Sequence, residues 1–418
     1  RVLLADTMGE MGLWLRLADA VYLGGGHAEG VGGHNPLEPV RFSKPVVTGP
    51  DAAVGGGCGS AGGTCRCTDG RDAGGAAAAD PRAGIAAMKA PHFWSAGLDP
   101  RSREAAPLTR LLLSPLAFAY RLGVQNKLER AVPVRVDIPV VCVGNLTVGG
   151  VGKTPVVAAI RGILTAQGVR AATLSRGYGG GAKGVVRVRP GTHTAADVGD
   201  EPLMLAASGE SWIGRDRVAA ARAMQADGVQ VIVMDDGHQN PSLYKDLSLV
   251  VIDAAAPFGN GYLLPKGPLR EPVRDGLARA GGVVLMGAGD VPGAVQQAGV
   301  PALRAAVEPT GAVPEGPLVA FAGIGRPIKF FDALTAAGAD LREAVGYGDH
   351  HVYSAGELKF LHRLAERHGA RLITTTKDHV RLPQAEQQRV LAFPVAARFE
   401  EASALDALLA PILTSANT

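Results

Sequence analysis

The sequence predicts an α/β protein: a mostly parallel sheet with helices on both faces, plus a smaller C-terminal α/β domain. Three observations predict it. From Ile138 onward, short apolar runs alternate with longer stretches of helical character. The apolar runs are continuous, as strands buried on both faces are. A glycine-rich loop joins the first such strand to the first such helix, the connection used in parallel βα units.

The strand-like runs are Pro139–Val143, Ala171–Leu174, Val229–Met234, Leu247–Ile252, Gly282–Leu285, Leu318–Phe321 and Arg371–Thr374. Helical stretches such as Pro155–Gln167 and Arg217–Ala226 lie between them. The main domain is expected at residues 136–315 and the smaller one at 316–418.

Upstream, residues 88–135 form a helical segment of different character. Leu108, Leu111, Leu112, Leu116 and Tyr120 recur at helical spacing, with Pro115 interrupting the pattern. Arg101, Arg103, Arg110, Arg121, Lys127 and Arg130 surround them. A short, basic, apolar helix is the signature of an element lying on a membrane surface. A helix packed on its own domain gives the same pattern, and the residues alone leave both readings open. No apolar run reaches the roughly 20 residues needed to span a bilayer.

The first 87 residues divide in two. Within 1–50, Ala20–Leu23 and Lys44–Pro50 read as short strands, and Gly32–Pro39 as a loop leading to a short helix. Residues 51–87 are dominated by Gly and Ala without periodicity, so a disordered linker is expected there. Met88 opens a new segment, while the chain itself begins at Arg1, as a fragment or processed product would. No signal peptide is read at that end.

Composition narrows the function. With 418 residues the chain has room for two or three domains. A net charge of +3 and 5% aromatic residues argue against a nucleic-acid binder. Cys58, Cys65, Cys67 and Cys142 make no disulfide framework and suggest a reducing compartment. The first three lack the partners that a zinc site needs.

The strongest local signal is Thr147-Val148-Gly149-Gly150-Val151-Gly152-Lys153-Thr154. It lies between a strand and a helix, as a phosphate loop (P-loop) does. Glycines let backbone N–H groups turn toward an anion, and the helix N-terminus adds partial positive charge. Lys153 would reach the β- and γ-phosphates of ATP, and the Thr154 hydroxyl would ligate Mg²⁺. Thr147 stands where the usual pattern has Gly. A strand then ends in Asp235-Asp236-Gly237-His238-Gln239, placing two acids where they can hold Mg²⁺. His238 by itself reads as structural. Asp200, in the loop Gly199–Pro202, could accept a hydroxyl proton or be an ordinary turn residue. His350, in Gly348–His351, could act as base or orient another group, or be solvated.

From Met88 onward the chain resembles the tetraacyldisaccharide 4'-kinase family of lipid A biosynthesis. The matching words follow in order: Pro139–Pro155, Ser175–Gly179, Gly199–Pro202, Asp235–Gln239, Leu264–Pro272, Gly323–Pro327, Gly348–His351 and Thr375–Asp378. Thr147 is that family's own form of the loop. The resemblance implies a P-loop NTPase-type fold and transfer of the γ-phosphoryl of ATP to the 4'-hydroxyl of an acylated glucosamine disaccharide 1-phosphate. It implies Thr147–Thr154 as the nucleotide loop, Asp200 as the catalytic acid–base with His350 as partner, and Asp235, Asp236 and Glu271 as Mg²⁺-associated acids. His238 and Asn240 depart from the family's usual residues. The resemblance also implies that Leu108–Val124 associates with the cytoplasmic face of the bacterial inner membrane. A monomer is expected.

Residues 1–50 resemble a C-terminal fragment of Kdo transferase, a GT-B glycosyltransferase, through Leu3–Gly12 and Gly32–Pro39. Glu38 would match a sugar-nucleotide contact there, yet the fragment is too short to be active. Two neighbouring genes joined out of frame across 51–87 would give this arrangement. Two other functions compete with the kinase. Partitioning-type ATPases share the loop but usually carry Lys where this chain has Val148. A non-catalytic scaffold would need residues 1–50 to fold.

Overall fold

The computed structural model describes residues 21–23, 46–48, 91–95, 97–98, 102 and 104–416. The chain divides into two units, Arg1–Met88 and Lys89–Thr418. In the first, β1 (Val21–Leu23) pairs in parallel with β2 (Val46–Thr48). Both strands fall inside runs that the sequence marks as strands. The loop at Gly32–Pro39 and the short helix it leads to, the Glu38 contact, the linker at 51–87 and Cys58, Cys65 and Cys67 lie outside the described residues.

The second unit is built on a nine-stranded sheet. Its strands are β3 (Val140–Gly144), β4 (Ala171–Ser175), β5 (Val185–Arg187), β6 (Ser211–Gly214), β7 (Val231–Asp235), β8 (Leu247–Asp253), β9 (Gly282–Met286) and β10 (Ala302–Pro309). A four-stranded sheet follows, from β11 (Pro317–Ala322), β12 (Asp340–Gly346), β13 (Arg371–Thr375) and β14 (Leu391–Phe393). The chain then returns to the large sheet as β15 (Val395–Phe399). The large sheet runs β15-β10-β9-β8-β3-β7-β4-β6-β5 and is parallel except at its two edges.

Every residue of β3, β7 and β8 is buried. That is why their sequences are apolar without alternation. One face carries the helix Lys153–Ala166 through Val156, Val157, Ile160 and Leu164, together with Leu405, Leu409 and Ile412 of the helix Ala402–Ala416. Truncating Ile160, fully buried there, would cost about 2–5 kcal/mol. The opposite face carries Ala220, Ala221 and Met224 of the helix Arg217–Ala226. Asp216 caps that helix by accepting from the Val218 and Ala219 amides.

The small sheet runs β12-β11-β13-β14, all parallel. Alternate residues of β11 face opposite sides: Val319 and Phe321 pack with the helix Ala355–Arg367, Leu318 and Ala320 with the helix Pro327–Ala336. A capping box between Ser354 and Glu357 starts the former. The expected domain at 316–418 therefore departs from the structure at its end. Residues 395–416 complete the large sheet instead of the small one, because β15 and the last helix bury Ala397, Leu405 and Leu409 in the main core.

In the segment before β3 there are two helices, Pro107–Leu112 and Ser114–Arg130. Pro115 falls in the first turn of the second, where its missing N–H costs nothing, so it starts a helix rather than interrupting one. Leu108 is 75% exposed and Leu112 77%, and Leu111, Leu116 and Phe118 are also exposed. No helix among the described residues is long and apolar enough to cross a membrane.

Candidate active site

The glycine loop leaves the carboxyl end of β3, the edge at which parallel α/β sheets bind ligands. Gly144 is required where the chain crosses His238: a Cβ there would sit 2.5 Å from the His238 Cβ. Gly149 and Gly152 have φ of 115° and 88°, in the region that favours glycine, and Gly152 caps the helix that begins at Lys153. Thr147 needs no such freedom. It pairs with Leu269 in an isolated β-bridge, which accounts for Thr where Gly is usual. The segment 268–270 straps the loop: Val148 N donates to Pro268 O at 2.9 Å, and Arg270 N to Leu146 O at 2.8 Å. Thr154 is buried at the first turn of the helix.

Strand pairing brings the acids to this loop. β3 and β7 run in parallel register with Val143 opposite Asp235. Asp235 is buried, and its Oδ1 has no hydrogen-bond partner. Burial, then the neighbouring Glu201 and Asp236 charges, outweigh Lys153 and Arg217, and its carboxyl is pushed up to about 7. Asp236 holds the left-handed φ of 51° that turns its carboxylate to the loop. There it meets Lys153 Nζ at 3.4 Å and accepts from Arg270 Nη1 at 2.8 Å. Burial alone would raise the Asp236 carboxyl, but those two cations hold it below its ordinary range.

Glu271 stands one layer behind. It is buried, with Oε1 accepting from Gln239 Nε2 at 2.8 Å and Oε2 from Arg279 Nη2 at 2.5 Å. Gln239 Nε2 also donates to Asn145 O at 2.8 Å, which ties this acid to the phosphate loop. Among the described residues no three acid, His or Cys side chains form a closed metal cage. His238 is structural, as expected. Its ring is buried between Ser248 Oγ at 2.8 Å and Gly276 O at 3.0 Å, and burial pushes it down to about 4.

Asp200, expected in a loop, is instead the first residue of the helix Asp200–Ala207. Gly199 precedes it at φ 89°, where a Cβ would meet Tyr178 O at 2.5 Å. Asp200 is buried and faces the small sheet's side of the site. His350 Nδ1 lies 3.0 Å from its Oδ2, and Arg381 Nε donates to the same oxygen at 3.0 Å, with Arg381 Nη2 also bonded to it. Lys377 Nζ is 4.0 Å away. Burial works to raise the Asp200 carboxyl, but the His350 hydrogen bond and the Arg381 and Lys377 charges hold it well below the carboxylate range. His350 follows β12 in a tight turn at φ 58°. The structure thus joins Lys153 to Asp236 and, separately, Asp200 to His350, while the charges of Lys153 and Glu201 both act on Asp235.

Several site residues escape sequence reasoning. Arg270, Gln239, Lys377 and Asp378 fall inside the matching words, but nothing local gives them a role. Arg381 lies outside those words, and its partner Asp200 is 181 residues away. Arg381 and Asp378 stand at i,i+3 spacing, the one local signal from which their ion pair could be read.

Residues 109–414 match the family model described as tetraacyldisaccharide-1-P 4'-kinase. The tetraacyldisaccharide 4'-kinase of Hyphomonas neptunium is 63% identical over 329 residues, covering 79% of this chain and 99% of that protein. The enzyme of the same name from Maricaulis maris is 50% identical over 337 residues, covering 78% and 97%. Among solved structures, the "apo" form of LpxK from Aquifex aeolicus in complex with ATP is similar at TM-score 0.60 and 25% identity, covering 73% of this chain and 99% of that one. A strapped glycine loop, paired acids at its mouth and a match along the whole of the second unit lead to one conclusion: this chain belongs to the tetraacyldisaccharide 4'-kinase family.

Proposed function

We propose that this chain is a lipid A 4'-kinase whose glycine loop holds ATP while Asp200 and His350 prepare the acceptor hydroxyl. The γ-phosphoryl passes to the 4'-hydroxyl of a tetraacyldisaccharide 1-phosphate. The carrying observation is the 3.0 Å contact between Asp200 and His350. It pairs an ionised acid with an imidazole, a contact separate from that of Lys153 with Asp236. A switch ATPase has no alcohol to deprotonate and no use for such a pair.

Each residue then has a task. Loop N–H groups and Lys153 cradle the phosphates. Asp200 and His350 orient the sugar hydroxyl and accept its proton, a contribution of about 10²- to 10⁴-fold. Mg²⁺ fits the residues present: the Asp235 Oδ1 is a buried oxygen without a partner, with the Thr154 hydroxyl and Asp236 as further oxygen donors. Bound Mg²⁺ would neutralise charge on the β- and γ-phosphate oxygens. Glu271 supports this set from behind through Gln239 rather than by direct ligation, since both its oxygens are engaged.

The exposed leucines of residues 107–122, among Arg110 and Arg121, fit the cytoplasmic surface of the inner membrane, where the acylated substrate resides. The test is transfer of label from γ-labelled ATP to the acylated disaccharide 1-phosphate, read by thin-layer chromatography. Labelled lipid should appear, should require Mg²⁺ and should vanish in Lys153→Ala. ATP turnover without lipid labelling would favour the switch instead. Leu111→Ser with Leu112→Ser should lower binding to anionic vesicles by roughly 10-fold; unchanged binding would move the membrane contact elsewhere.

A further inference from the structure

We propose that Arg381 is a positioning residue for phosphoryl transfer: its guanidinium fixes Asp200 and His350 in one arrangement and keeps Asp200 an anion. This rests on the roles given above to Asp200 and His350.

Arg381 follows the short helix Thr376–His379, and its side chain is 7% exposed. It is anchored from behind. Its Nη1 donates to Gly323 O and to Asp378 Oδ1, both at 2.9 Å. Asp378 is wholly buried and is itself held, by the Tyr353 hydroxyl at 3.0 Å and the Thr375 hydroxyl at 2.6 Å. In front, Arg381 Nε and Nη2 both donate to Asp200 Oδ2, and Nη2 also lies 3.4 Å from His350 Nδ1. A guanidinium is a rigid planar fork. With one edge fixed on Asp378, the other has a single direction in which to point. One side chain therefore runs from a buried anchor to both members of the pair.

The charge matters as well as the shape. Asp200 is buried, which favours its neutral form. The groups that face it are His350, Arg381 and Lys377. Lys377 is shared with Glu201 and Asp349, each at 3.6 Å. Arg381 is the one of these cations that makes a forked contact with Asp200. A cation beside the pair favours its deprotonated state, so removing that cation moves the acid limb of the rate profile to higher pH.

The test is steady-state kinetics of the full chain against pH, for Arg381→Gln and Arg381→Lys. In Arg381→Gln, kcat should fall about 100-fold while the KM for ATP stays within about twofold. The acid limb should rise by about one unit or more. Arg381→Lys keeps the charge and loses the fork, so its limb should stay near the native position while kcat recovers only in part. An unmoved limb in Arg381→Gln would overturn the proposal, as would a KM for ATP that rises in step with the loss in kcat. Should Arg381→Gln fail to fold, Arg381→Lys decides alone: reduced kcat with an unmoved limb supports the proposal, and native kcat overturns it. Asp200→Asn keeps the two readings apart. If that variant is inactive while Arg381→Gln leaves the limb unmoved, only the Arg381 role falls; if it transfers phosphate normally, the role of the pair itself falls.

Discussion

The site contains two buried acids that the protein treats in opposite ways. Asp200 is met by a forked guanidinium, an imidazole and an ammonium, all supplied by the segment that carries the small sheet. Asp235 is met by none at hydrogen-bonding distance, and its Oδ1 is left bare. Burying a carboxylate is costly unless it is paired. For Asp200 the compensation is built into the fold. For Asp235 it is left open, and its carboxyl sits at about 7 in consequence. On the roles proposed above, Asp200 is the acid prepared in advance for the hydroxyl and Asp235 the waiting acid, left open to a cation arriving with the nucleotide. The second state is tolerable because Lys153 stands nearby, although that ammonium is 3.4 Å from Asp236 and is already shared.

The largest expected effect breaks the prepared side. Asp200→Asn keeps the shape and removes the charge that three groups are built to meet. Turnover should fall by about 10³-fold, with ATP binding measured by calorimetry little changed, because the glycine loop is untouched. A variant that loses ATP affinity along with turnover would place Asp200 on the nucleotide side and erase the distinction.

How much of this could be read in the sequence follows the same division. The waiting side was legible. Its loop, its strand and its two acids are contiguous words, and the continuous apolar runs mark buried parallel strands, while the pairing of β3 with β7 rather than with β4 is seen only in the fold. The prepared side was legible only through resemblance. Asp200 looks like a turn acid, and its helix begins there because Gly199 can take a backbone angle that other residues resist. Arg381 and Asp378 pack against it from far along the chain, and no periodicity encodes such a contact. The strands β5, β6, β10, β12, β14 and β15 were missed for a related reason. They are short or half-exposed, so they lack the continuous apolar pattern of the central strands.

A second, smaller effect sharpens the waiting side. The Asp235 carboxyl is raised when folded, so the fold favours its protonated form, and that contribution is lost as pH rises from about 4 through about 7. Between pH 5 and 8 the nucleotide-free chain should lose on the order of 2 kcal/mol of stability through this group alone. Asp235→Asn should remove that slope in chemical denaturation, and Mg²⁺ with ATP should offset it in the native chain. A slope that survives the substitution would mean that Asp235 is ionised and compensated without ligand.

The smallest effect concerns Lys377, the least committed cation on the prepared side. Its Nζ lies 4.0 Å from Asp200 and 3.3 Å from His350 Nε2, and it also serves Glu201 and Asp349 at 3.6 Å each. An ammonium shared among several partners and partly open to water contributes little to any one of them, typically below about 1 kcal/mol. Arg381 already fixes the Asp200 carboxylate through two donors. Lys377→Met should therefore lower kcat by only about 2- to 5-fold. A loss as deep as that of Asp200→Asn would mean that Lys377 reaches the transferred phosphoryl group itself. The prepared side would then share the task of charge neutralisation with the loop, and the contrast between the two acids would be one of position rather than of role.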